Sequence, residues 1–90
     1  MKTFNVMSSC QELVSPRGDL TIVLDVEDVR EFGQPSVTIR SNGRTSIVGF
    51  DDALRRGIAD DLLLTDDHLT WLRSQRQQVD EWTATWARLA

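Results

Sequence analysis

The chain has 90 residues, a formal net charge of -4 and 14 acidic against 10 basic side chains. That length admits one domain with a single modest core, residues 1–90 together, and the acidic balance disfavours broad contact with nucleic-acid phosphates. Hydrophobic residues make up 40% and charged residues 27%, which excludes a disordered chain, and no apolar run approaches the length of a membrane span.

Thr3 to Met7 alternates, with Phe4 and Val6 on one side, and reads as a first strand. The N-terminus turns polar too soon for a signal peptide, so a cytoplasmic product is expected. Ser9-Cys10-Gln11-Glu12 fits a capping box, and a helical turn through Leu13 competes there with a longer strand. Cys10 is the single cysteine and has no internal disulfide partner; a buried or half-buried residue is expected. Pro16-Arg17-Gly18-Asp19 is a turn, with Pro fixing one dihedral angle.

Leu20 to Val26 is the strongest strand, with Leu20, Ile22, Leu24 and Val26 on one face. Glu27 to Pro35 reads as a polar connection whose Val29 and Phe32 fold back onto the sheet edge. Ser36 to Phe50 reads as a hairpin around Asn42-Gly43, the pair favoured by a type I′ turn. Its register sets Val37 against Val48 and Ile39 against Ser46. Asp51 or Asp52 caps a short helix carrying Ala53, Leu54 and Ile58. Leu62-Leu63-Leu64 is either a short strand or a buried lead-in.

Thr65 to Ala90 has an unbroken helical period, no Gly or Pro, and all three tryptophans. Thr65 is a good N-cap, and Asp66 and Asp67 set negative charge against the positive end of the helix dipole. Leu72, Val79 and Trp86 recur every seven residues. With Leu69 on one flank and Trp71, Trp82 and Leu89 on the other, they sweep an apolar band about 160° wide. Such a band is broader than one sheet face covers, so Trp71 and Trp82 have two readings, core residues or anchors for a partner. The expected fold is α+β: a small antiparallel sheet of about four strands packed against a long C-terminal helix, with a short helix between.

His68 is the single histidine, which leaves no paired-histidine metal site; a satisfied, partly buried imidazole is expected. No phosphate-binding glycine pattern and no nucleophile elbow occurs. The expectation is a protein that is not an enzyme and takes no cofactor. Acidic residues come in adjacent pairs, among them Asp60-Asp61 and Asp66-Asp67. Ordinary helix capping and solvation account for such pairs, but they also suit competition for Arg and Lys on a basic partner.

Three functional classes follow. The first is a small acidic protein-binding inhibitor, with the profile of immunity proteins, antitoxins or phage-encoded anti-defence proteins. It would cover a basic or nucleic-acid-handling surface through Asp60, Asp61, Asp66, Asp67, Trp71 and Trp82. The second is a nucleic-acid-binding or transcription-regulator domain. Strands followed by Leu64-Thr65 and a long helix resemble, in architecture, single-strand-binding domains of the transcription-coactivator type. That resemblance implies basic and aromatic residues on the sheet, where this chain offers Arg40 and Arg44 but no Trp or Tyr. The third is a structural or regulatory subunit that self-associates through the helix.

Overall fold

The computed structural model describes residues 8–56 and 64–87. Its fold is α+β. Four strands, β1 (Cys10–Val14), β2 (Leu20–Asp25), β3 (Ser36–Ser41) and β4 (Arg44–Gly49), form an antiparallel sheet in chain order. Among the described residues four helices accompany it: α1 (Val26–Phe32), α2 (Phe50–Arg56), α3 (Asp66–Ser74) and α4 (Arg76–Ala87).

The period-2 pattern sets the core. Leu20, Ile22 and Leu24 of β2 and Val37 and Ile39 of β3 are fully buried on one face of the sheet. Phe50, Ala53, Leu69, Leu72, Val79 and Trp82 join them from the helices. The hairpin has the expected register, Val37 opposite Val48 and Ile39 opposite Ser46. Asn42 and Gly43 take φ of 51° and 76°, the left-handed pair that a type I′ turn needs.

Of the helical turn and the longer strand left open at Ser9 to Leu13, the chain takes the strand, and elsewhere it departs from expectation. Cys10 to Leu13 belongs to a strand, paired with β2 from Cys10↔Asp25 to Val14↔Thr21. The expected strand Thr3–Met7 lies outside the described residues, as do Ile58, Leu62, Leu63 and Leu89. Cys10 is exposed rather than half buried. Partial desolvation, and then the nearby Asp25 carboxylate, push its thiol above the ordinary value, which works against a reactive thiolate. Residues 26–32 form a helix instead of an irregular connection. Asp25 caps it by accepting from the Glu27 N–H at 2.9 Å, and Glu27 and Asp28 occupy its first turn. Val29 packs on the core as expected, but Phe32 stays exposed. Val26, placed on the β2 face by alternation, opens this helix.

A further departure is at Gln75, where the expected continuous C-terminal helix divides into α3 and α4. The Ser74 hydroxyl donates to the Trp71 carbonyl at 2.6 Å, and the Gln75 N–H is shared between the Trp71 and Leu72 carbonyls at 3.2 and 3.1 Å. A side chain that competes for the helical acceptor tightens this turn. The helical count survives it, because the Val79 N–H reaches the Gln75 carbonyl at 3.0 Å. Leu72 and Val79 therefore share the seam that their spacing implies, and both are buried.

Residues far apart in sequence secure α2. The Gln34 carboxamide accepts from the Asp52 N–H and donates to the Asp52 carboxylate, both at 3.1 Å. Capping thus comes from Gln34, while Asp51 and Asp52 sit inside the first helical turn. Gly49 makes room for Gln34, since a Cβ at that position would collide with the carboxamide.

Candidate functional site

The turn after β1 and the first two turns of α3 face each other across an open groove of about 670 Å³. One bank carries Ser15, Pro16, Arg17 and Asp19. The other carries Asp67, His68, Trp71 and Ser74 from α3, with Ser41 of β3 at one end. Positions 67, 71 and 74 fall on one side of α3 because residues three and four apart share a helical face.

A hydrogen-bonded chain ties the two banks together. Thr65 accepts from the His68 N–H at 3.3 Å, and His68 Nδ1 accepts from the Thr65 N–H at 3.1 Å. This is a capping box with histidine in the position that Glu or Gln usually takes. An accepting Nδ1 leaves the proton on Nε2, which donates to Asp19 Oδ2 at 2.6 Å. Asp19 also accepts from the Ser15 hydroxyl at 2.8 Å, and Ser15 Oγ accepts from the Leu20 N–H at 3.1 Å. The His68 hydrogen bond is the main reason that the Asp19 carboxyl lies below its ordinary value. Desolvation opposes it and the Ser15 hydroxyl assists it.

The chain contains Ser, Asp and His, yet its order is wrong for nucleophilic catalysis. The serine hydroxyl donates to the aspartate rather than to the imidazole, and Ser15 is only 7% exposed with its donor and acceptor both engaged. These groups hold the turn against α3 and fix the width of the groove. His68 is a satisfied, partly buried imidazole, as its position implied.

The residues expected to meet a partner separate into groups. Asp66 and Asp67 are exposed in the first turn of α3, and Asp67 lines the groove. Trp71 is half buried and also lines it. Trp82 is withdrawn into the core with no exposed surface, and its indole N–H donates to the Ser8 carbonyl at 2.7 Å. The anchor reading of Trp82 is therefore corrected: its ring has nothing to offer a partner in this fold. Asp60 and Asp61 lie outside the described residues. Of the other acidic pairs, Asp51 and Asp80 converge on Arg76 at 3.7 and 3.4 Å, and Asp52 pairs with Arg55. Glu27 pairs with Arg30 at 3.1 Å on α1.

The far bank of the groove is not legible in the sequence. Ser15 and Asp19 look like turn residues, and a separation of 49 positions in sequence hides the contact of Asp19 with His68. A turn that ends in Asp, together with a lone histidine at a helix start, was the available signal.

Among the described residues no group of three His, Cys, Asp or Glu side chains is placed to hold a metal ion, and no helix is long and apolar enough to cross a membrane. Compared with known proteins, the chain matches no family model, no curated protein and no solved structure.

Proposed function

We propose that this domain is a non-enzymatic protein-binding module, a small acidic inhibitor that covers a basic surface on another protein. The observation that carries the reading is Trp71, half buried in an open groove, with the exposed carboxylate of Asp67 one helical turn before it. An indole beside a carboxylate suits an Arg or Lys side chain. The cation lies against the ring face while the carboxylate takes its hydrogen bonds. Arg17 on the opposite bank repels that cation and directs it toward α3. Asp19 competes for it less, because each of its oxygens already accepts one hydrogen bond, from His68 and from Ser15.

The net charge of -4 draws a basic partner from a distance, and Asp66 and Asp67 add to that field at the groove. Such charges act more on association rate and orientation than on lifetime, and burial of the rest of Trp71 supplies the apolar part of binding. Affinity capture from the cells that make the protein, read by mass spectrometry, is expected to give a basic protein that salt releases. Trp71→Ala should abolish capture, and joint charge reversal at Asp66 and Asp67 should slow association. A partner retained equally well by Trp71→Ala would exclude the groove as its site.

A further inference from the structure

Among the described residues β4 is an edge strand, and the groups it leaves unpaired can be assigned. The Arg40 N–H is spent on Asp19 and the Phe50 N–H on Pro35, at 2.9 and 2.8 Å. Since donors alternate along an antiparallel strand, residues 44, 46 and 48 face β3, while Thr45, Ile47 and Gly49 point their N–H and C=O groups away from the sheet. Their side-chain positions lie on the sheet face opposite the core, and Ile47 is 70% exposed. No charge, proline or bulge interrupts Thr45 to Gly49, so the usual protections of an edge are missing. The opposite edge, β1, carries Glu12 on that same outer face.

We infer that β4 pairs with β4 of a second copy of this chain, antiparallel about a two-fold axis at Ile47. In that register Ile47 meets its own symmetry mate and Thr45 meets Gly49. Each pair exchanges both of its backbone hydrogen bonds, so the edge is self-complementary. The axis also brings Arg44 of each copy beside the start of α2 in the other, where Asp51, 3.7 Å from Arg76, keeps an exposed carboxylate that a second cation can share. Opposite charges therefore meet at both ends of the contact. The two sheets become one, with the paired Ile47 side chains together on its outer face. A contact of one short strand falls below the roughly 1,200 Å² of a stable interface, so the pairing depends on concentration.

Sedimentation from micromolar to near-millimolar concentration tests this. The expected result is a reversible shift from the 10.2 kDa monomer toward twice that mass. Ile47→Lys sets like charges against each other at the axis and should weaken the dimer by roughly tenfold or more. Its thermal unfolding at low concentration should be unchanged, because position 47 is exposed. Arg44→Asp should weaken the dimer, and combining it with Asp51→Arg should restore it. In a Cys10→Ser background, Ile47→Cys should cross-link to a dimer on oxidation and Ser46→Cys should not, because paired Cα atoms at the axis lie about 5.5 Å apart. A monomer at every concentration, a dimer that survives Ile47→Lys, or growth beyond two copies would each overturn the inference. Ile47 is absent from the lining of the groove, so these results leave the Trp71 site to stand or fall separately.

Discussion

Replacing Trp82 by phenylalanine tests whether α4 and Ser8 are joined as described. The indole is fully buried, and its N–H donates to the Ser8 carbonyl at 2.7 Å, which ties α4 to residues just before β1. Phenyl is smaller than indole by roughly 40 Å³, and at about 24 cal/mol per Å³ of unfilled cavity this costs about 1 kcal/mol. Loss of the hydrogen bond leaves a half-buried carbonyl without its donor and costs about 1 kcal/mol more. The expected loss is therefore about 2 kcal/mol, measured as a lower urea midpoint with an unchanged m-value. Trp71→Phe serves as the reference, because the Trp71 ring is half exposed and its truncation should cost less. A loss below about 0.5 kcal/mol for Trp82→Phe would refute the placement of Trp82, above all if Trp71→Phe cost more.

Gly49→Ala should cost about 1 kcal/mol, because the new methyl displaces Gln34 from its two bonds to Asp52 and leaves α2 without its cap. Hydrogen exchange should then quicken in α2 and not in β2. Gly43→Val should destabilise the hairpin by at least about 1 kcal/mol, since a β-branched residue resists a φ of 76°; urea unfolding at wild-type stability would contradict the turn assignment. The Asp19 carboxyl is held below its ordinary value, first by the His68 hydrogen bond, so the unfolded chain takes up this proton at a higher pH than the folded one does. The stability that it contributes is complete above the ordinary carboxylate range and is lost as pH falls through the folded value. Asp19→Asn should flatten that acid limb in denaturation curves, and an unaltered limb would show that the contact with His68 is not formed in solution.

The parts of this fold that were legible from sequence are those set by local chemistry. Asn42-Gly43 demands a type I′ turn, and alternation then fixes which residues of β3 and β4 face each other. Thr65, Asp66 and Asp67 mark a helix start, and the seven-residue spacing of Leu72 and Val79 marks a buried seam. What stayed hidden depends on distant partners or on competing local bonds. Helix α1 opens on the β-branched Val26 and shows only Val29 as an inward apolar position, so its pattern resembles a loop. The break at Gln75 coincides with the Ser74 hydroxyl bonded to the Trp71 carbonyl, and helical periodicity does not register it. Trp71 and Trp82 both lie on the apolar band. Tertiary packing, with the Trp82 indole bonded to the Ser8 carbonyl, decides that Trp82 is enclosed while Trp71 faces the groove. The far bank of that groove, Ser15 to Asp19, reads locally as a turn.

A titration of the isotope-labelled protein with a short arginine-rich peptide, followed by amide and indole resonances, tests the proposed groove most directly. Saturable, salt-sensitive shifts are expected at the Trp71 indole N–H and at the amides of Asp67, Thr70 and Ser74, on both sides of the Trp71 ring. A glutamate-rich peptide of equal length should leave them unmoved, and Trp71→Ala should remove the response at Asp67. Shifts spread evenly over the pairs Glu27-Asp28, Asp51-Asp52 and Asp80-Glu81, with the Trp71 indole silent, would contradict a built site and leave only the general attraction of an acidic protein for a basic chain.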